Sequence, residues 1–252
     1  MNMDSILITG VTGKVGSRLT QDFLKDGYQV IGTFRREEQI QAFQSSLEYN
    51  RDNFVPLQID LESAGAPSGI KRFLKEKGLR VQHIINNARS VEYLRPDEFG
   101  NVNPEQWRGE FYLDVIFPYN LIMEISLAEL GLKSSVLVSS IYGVVAAHPQ
   151  IYKNPLTDSP IHYSVCKAAQ IHLARELAVR LAPQNIRVNC VSFGGIQGRA
   201  SENFVKLYAE QSPQKRMLSE LELFAPIRFL LSEGASSVTG HNMIVDGGWT
   251  IW

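Results

Sequence analysis

SILITGVTGKVGSRL, residues 5–19, is the stretch that decides the fold. SILIT is a short apolar run of strand length, the pattern of a β-strand covered on both faces. Gly10, Gly13 and Gly16 follow at intervals of three, and a helix begins within the motif. Glycine at such positions lets the backbone turn sharply, approach a pyrophosphate closely and bring helix against strand. The start of the helix then presents free N–H groups and a partial positive charge to phosphate oxygens. A glycine-rich βα turn with no ligand reads the same in isolation. Its place at the first strand of a βαβ pattern favours a bound dinucleotide, with Gly10, Thr12, Gly13, Lys14, Val15 and Gly16 as contacts.

Outward from that stretch, short β-rich runs alternate with longer helical ones. Strands are expected at 5–9, 28–34, 54–59, 82–86, 134–140, 186–192 and 242–246, and helices at about 14–26, 36–48, 66–77, 104–131, 162–183 and 219–232. The alternation implies right-handed crossovers and an α/β architecture, a doubly wound parallel sheet of about seven strands. No internal repeat, low-complexity tract or long linker divides the chain, so residues 1–252 are expected to form a single domain. The least regular segment is 144–161, VVAAHPQIYKNPLTDSPI, with three prolines between a strand end and a helix start. Doubly wound sheets bind ligands at that edge, and long loops in compact domains are usually functional or mobile.

A length of 252 residues with 44% hydrophobic and 20% charged content suits a soluble globular protein. The net charge of −1 gives no electrostatic reason for a nucleic acid or an anionic membrane as partner, which leaves a small molecule. MNMDSILITG lacks the basic flank and long apolar run of a signal peptide, and no stretch approaches the length of a membrane span. Two cysteines, Cys166 and Cys190, form no CxxC pair. Reduced thiols in a cytoplasmic setting are therefore expected, rather than disulfides or a zinc site. Five scattered histidines offer no metal-ligand spacing, and no metal is expected.

The end of the second strand sets the choice of dinucleotide. An acidic residue there binds the ribose 2′-hydroxyl of NAD, whereas arginine accommodates the 2′-phosphate of NADP. This chain reads GTFRREEQ, with Phe34 in place of the acid and Arg35 and Arg36 behind it. Lys14 offers a further cation. The same arginines also read as solvated charges at a helix start, paired with Glu37 and Glu38. NADP(H) is favoured over NAD(H).

Tyr163 and Lys167, in YSVCK, lie one helical turn apart on one face. In isolation such a pair is more often plain helix surface. By this point, however, the chain resembles the short-chain dehydrogenase/reductase family of tyrosine-dependent oxidoreductases over essentially its whole length. The matching stretches, in order, are TGVTGKVG, Asp60–Leu61, NNAR (86–89), VLVSSIYG (136–143), YSVCK, IRVNCVSFGG (186–195) and TGHNMIVDGGW (239–249). The resemblance implies a Rossmann fold and a nicotinamide cofactor contacted also by Asp60, Leu61, Asn87, Ala88, Gly194 and Ile196. It implies Tyr163 as acid–base, Lys167 as its support and a ligand of the nicotinamide ribose, and Ser140 as the group that positions a carbonyl. The chemistry is coherent. A free tyrosine loses its proton near ~10, and a nearby ammonium favours the phenolate, so proton transfer can accompany hydride transfer. Four positions depart from the family pattern. Lys14 stands where a second glycine is common, Arg89 replaces the glycine of NNAG, and Phe193 replaces a proline. Asp114 stands where an asparagine often supports the lysine through a water relay, and joins the candidate catalytic set.

Loop 144–161 carries polar groups, among them His148, Gln150, Tyr152, Lys153 and Asn154, and Arg89 and Arg199 are expected to face the same cleft. Arg89, His148, Tyr152 and Arg199 are the candidate substrate contacts. The run from IYGVVAAHPQIY through PIHYSVCK is also similar to bacterial members of the family from sugar and flagellin-modification (nonulosonic acid) pathways. The expected reaction is oxidation or reduction of a sugar or nucleotide-linked sugar. A 3-oxoacyl-thioester reductase is the alternative, and a non-catalytic nucleotide-binding relative is the third reading. The resemblance also implies a homodimer or homotetramer built on the helices at 104–131 and 162–183 and the last strand, with the two tryptophans of DGGWTIW at the interface.

Overall fold

The computed structural model describes residues 3–198 and 200–252. Its strands are β1 (Ser5–Ile8), β2 (Gln29–Phe34), β3 (Phe54–Gln58), β4 (His83–Asn86), β5 (Ser134–Ser140), β6 (Arg187–Phe193) and β7 (Asn242–Val245). They form one parallel seven-stranded sheet in the order β3-β2-β1-β4-β5-β6-β7. The helices are α1 (Lys14–Lys25), α2 (Glu37–Ser46), α3 (Ala66–Glu76), α4 (Pro104–Phe111), α5 (Phe117–Leu127), α6 (Pro155–Asp158), α7 (Ile161–Leu181), α8 (Glu202–Gln211) and α9 (Phe224–Leu231).

Alternate strand residues point to opposite faces, and both faces are apolar. Leu7, Ile84, Leu137 and Val188 join a core with α3, α5 and α7. Their neighbours Ile6, Ile8, Ile85, Val136 and Val191 join a second core with α1, α2 and α9. The strand order reverses between β1 and β4, so the loops leaving those two strands diverge and open a cleft at their C-terminal ends.

Three expectations change. The helix expected at 104–131 is two helices, α4 and α5, joined by a π-helical turn over Tyr112–Ile116. Pro118 is the cause: it has no N–H for the Asp114 carbonyl four residues earlier, and the Phe117 N–H reaches back five residues to Tyr112 instead. α8 was not expected; Ser201 starts it by accepting a hydrogen bond from the Phe204 N–H at 3.3 Å. The tryptophans of DGGWTIW also separate. Trp249 is buried in the chain's own aromatic cluster, stacked on Tyr208 with ring centroids 5.7 Å apart, while Trp252 is exposed. No helix among the described residues is long and apolar enough to cross a membrane, and none of their acidic, histidine and cysteine side chains gather into a metal-binding group.

Candidate active site

The glycine loop is held by β4 as much as by its own turn. The Thr9 hydroxyl accepts hydrogen bonds from the Asn87 and Ala88 N–H groups, both at 3.0 Å, and the Asn87 amide donates back to the Thr9 carbonyl at 3.0 Å. Gly10 has a φ of +72°, which favours glycine. A Cβ on Gly16 would lie 2.2 Å from the Gly10 carbonyl oxygen, so α1 begins closer to the loop than any other residue allows. Gly13 caps α1 without a side-chain hydrogen bond, which leaves the first N–H groups of the helix free. This cradle and its uncapped helix start fit the pyrophosphate of a dinucleotide.

The cleft above it has a volume of about 810 Å³. Of the residues expected to contact a cofactor, Gly10, Thr12, Gly13, Lys14, Val15, Arg35, Asp60, Leu61, Asn87, Ala88, Gly194 and Ile196 line it. Gly16 shapes it from behind. Arg36 does not line it, and its guanidinium lies 3.6 Å from Glu92. Arg35 sits between Glu92 at 3.0 Å and Glu62 at 3.5 Å, so the partners of the two arginines are Glu62 and Glu92, not Glu37 and Glu38. The Lys14 ammonium crosses to the far wall, where it donates to the Gln197 carbonyl and lies 3.2 Å from Glu220.

Ser140, Tyr163 and Lys167 all line this cleft. Ser140 ends β5, and its hydroxyl accepts from the Tyr142 N–H at 3.2 Å. Tyr163 and Lys167 lie on α7, with the Lys167 ammonium 5.7 Å from the Tyr163 ring centroid. Lys167 is 4% exposed; its ammonium donates to Asp114 Oδ1 at 2.8 Å, the Val138 carbonyl at 3.1 Å and Gln170 Oε1 at 3.4 Å. Burial opposes its charge, but the Asp114 carboxylate leads the groups that outweigh burial and hold the ammonium above its usual range. Asp114 is itself fully buried and hangs from the π-helical turn.

The substrate end differs from expectation. Tyr152 lines the cleft with Tyr142, Phe204 and Tyr208, and its hydroxyl donates to that of Tyr142 at 2.5 Å. Burial, the largest influence on each of these three tyrosines, raises their phenols, Tyr152 to about 12, so all stay neutral hydroxyls. His148, by contrast, turns away from the cleft and lies edge-on to Trp249, and Gln150, Lys153 and Asn154 are also outside the lining. The reason is apolar: Ile151 is buried and draws the short turn Pro149–Ile151 onto the aromatic cluster. Arg89 does line the cleft, its guanidinium 5.6 Å from the Tyr163 ring centroid, and no carboxylate pairs with it among the described residues. Arg199 lies outside the described residues.

Sequence reasoning named Tyr152 but missed its aromatic neighbours Tyr142, Phe204 and Tyr208, and one acid. Glu110, on α4, is 1% exposed, and neither carboxylate oxygen has a hydrogen-bond partner among the described residues. Its signal was only its position one turn before Asp114.

A family described as "Enoyl-(Acyl carrier protein) reductase" matches residues 10–250. The chain is 33% identical to NADH-dependent L-xylulose reductase of Ambrosiozyma monospora, over 71% of this chain and 66% of that protein. It is 27% identical to post-translational flagellin modification protein A of Campylobacter coli, over 97% of each. Identity to the 3-oxoacyl-[acyl-carrier-protein] reductase of Buchnera aphidicola is 25%, over 98% of each. The crystal structure of a short-chain dehydrogenase from Leptospira borgpetersenii with bound NAD+ superposes with a TM-score of 0.86 at 30% identity, over 99% of this chain and 94% of that one. With matches over this much of its length, the chain belongs to the short-chain dehydrogenase/reductase family of oxidoreductases.

Proposed function

We propose that the protein interconverts a carbonyl and a secondary alcohol on a sugar or nucleotide-linked sugar, with NADP(H) favoured over NAD(H). The observation that carries the reaction is the buried Lys167–Asp114 pair next to Tyr163 and Ser140, in a cleft that the glycine loop also lines. A bound nicotinamide supplies or accepts the hydride. In reduction, the Tyr163 hydroxyl gives its proton to the substrate oxygen, and in oxidation the phenolate takes it back. The Ser140 hydroxyl donates a hydrogen bond to the same oxygen and holds it in line. Lys167 keeps positive charge beside the phenolate, and Asp114 keeps Lys167 charged. Gly10–Gly16, Asp60, Leu61, Asn87, Ala88, Gly194 and Ile196 hold the cofactor.

For cofactor choice, the support is Phe34 in place of an acid and Arg35 at the cleft. The relatives named for NADH and NAD+ lend it no support, so the reading rests on these residues alone. For substrate, the support is the pair Tyr142 and Tyr152 in the lining, whose rings suit the C–H face of a sugar and whose hydroxyls suit its oxygens. Arg89, with no carboxylate partner among the described residues, adds a site for a phosphate or carboxylate. Leu94, Val91 and Phe204 in the same lining support the alternative, a 3-oxoacyl thioester. The chain is also proposed to act as a cytoplasmic homodimer or homotetramer. Exposed Ile116, Tyr119 and Leu127 on the π turn and α5, Ile161, Val165 and Val179 on α7, and Ile251 and Trp252 supply apolar surface for it.

Fluorescence titration with NADPH and NADH, followed by turnover on sugars, sugar phosphates, nucleotide-linked sugars and 3-oxoacyl thioesters, tests these readings. NADPH is expected to bind more tightly by ~1–3 kcal/mol, and Arg35→Ala to shrink the difference. Tyr163→Phe is expected to keep cofactor affinity and lose turnover by ~10²–10⁴-fold. Equal cofactor affinities, or turnover of thioesters alone, would reverse the corresponding part.

A further inference from the structure

We propose that Glu110 is the inner proton reservoir of the site, holding a proton that Asp114 and Lys167 pass toward Tyr163; this rests on the oxidoreductase reading above. The starting point is an unmet hydrogen-bonding demand. Among the described residues, both Glu110 carboxylate oxygens are buried without a partner, and so is Asp114 Oδ2, one helical turn along. A buried carboxylate with no donor is costly, whereas the same group carrying a proton is not charged. Three orphaned acceptor oxygens in neighbouring acids therefore call for at least one proton between them.

The surroundings agree. Asp114 and Lys167 act on Glu110 electrostatically from the π turn and α7, and Arg89 acts from the cleft mouth. The other titratable groups on the facing side of α7 are Cys166, which Glu110 and Asp114 influence in turn, and His162, which lies against Trp107 of α4. Burial raises the thiol to about 12, and burial lowers the imidazole, so both stay neutral near pH 7. Burial, with Asp114 next, lifts Glu110 itself to about 7 against the pull of Lys167 and Arg89.

The proton count closes within the chain. In reduction the Tyr163 O–H bond breaks as the substrate O–H forms. Lys167 returns a proton to the phenolate, and the Glu110 O–H breaks as its proton passes through Asp114 to the lysine. Glu110 is left as the carboxylate and regains a proton from solvent. Glu110 touches neither substrate nor cofactor and acts as a positioning residue for charge.

Glu110→Gln keeps the shape and cannot release a proton. The rate of carbonyl reduction by the unaltered protein is expected to fall as pH rises through about 7, the point at which Glu110 ionises. In the variant that limb is expected to vanish, with the rate at pH ~6 reduced roughly 2–30-fold and flat to higher pH. An equal loss at every pH, or an unchanged profile, overturns the proposal. Infrared spectroscopy of the unaltered protein gives a readout independent of turnover and of whether the variant folds. A protonated carboxylic acid band is expected at pH ~5 that fades through neutrality, and Glu110→Asp is expected to displace it. Absence of the band overturns the proposal even in an active enzyme. Failure of every substrate with the band present would instead sink the oxidoreductase reading.

Discussion

Asp114 and Lys167 share one buried ion pair, so changing the acid changes the base. Asp114→Asn keeps an acceptor oxygen near the ammonium but removes the charge that leads in holding it protonated. The Lys167 pKa is raised in the folded protein, so its stabilising contribution is present below the unfolded lysine value and is lost as pH rises through the folded one. In Asp114→Asn the folded value drops, so stability is expected to fail at lower alkaline pH than in the parent protein, and the rate is expected to lose its fall through about 7 because the amide cannot pass the Glu110 proton. Neutral-pH stability is expected to drop by roughly 3 kcal/mol, because a buried charge loses its partner. A pH–rate profile and thermal unfolding at pH 7 and 9 check this; an unchanged alkaline limb would reduce Asp114 to packing. Tyr163, Lys167 and Ser140 were legible because one turn's spacing on α7 and a place at a strand end are local properties, whereas Asp114 was named only through the family resemblance. Glu110 was not legible, since WRGEFYLD gives no sign of which side faces inward. His148 misled for a related reason: a polar residue in a loop gives no direction, and burial of Ile151 turned it from the cleft.

At the level of elements, two glycines separate binding from catalysis. A Cβ on Gly143 would sit 2.7 Å from the Lys167 carbonyl carbon and 2.8 Å from its oxygen, and neither is a flexible side chain. Gly143→Ala is therefore expected to push α7 off the end of β5, cost ~1–3 kcal/mol of stability and lower turnover, with cofactor affinity kept. Gly16→Ala meets the Gly10 carbonyl and is expected to do the converse, weakening dinucleotide binding first. Cofactor titration and turnover on both variants decide; the same profile for the two would mean loop and helix are not separable. Strand limits matched expectation within a residue or so because fully buried strands are continuous apolar runs. The helix at 104–131 broke because Pro118 was counted within it, although its missing N–H opens the π turn that carries Asp114.

Across the whole molecule, a doubly wound parallel sheet of about seven strands was legible because alternating strands and helices admit few right-handed arrangements, but the strand order was not. Which apolar surface stays exposed was not, since Trp249 found its partner within the chain. Sedimentation at micromolar concentration is expected to show a dimer or tetramer, and introducing Val179→Lys and Val165→Lys on the exposed side of α7 is expected to lower the mass to that of a monomer. A monomeric parent protein would remove the assembly reading. The position of β1 in the middle of the sheet also orders events in time during synthesis. One side of it pairs early, with Ser5 opposite Gln29. The other side waits for β4, and Gln82, which bonds Ser5, lies 77 residues further along. At about 5–20 residues per second, that interval is roughly 4–15 s. Each nascent chain thus carries SILI with one edge open for seconds. Ribosome pausing between β2 and β4 is expected to prolong the exposure and raise the fraction of chains lost to aggregation, which the soluble yield of chains with slow codons placed there would measure.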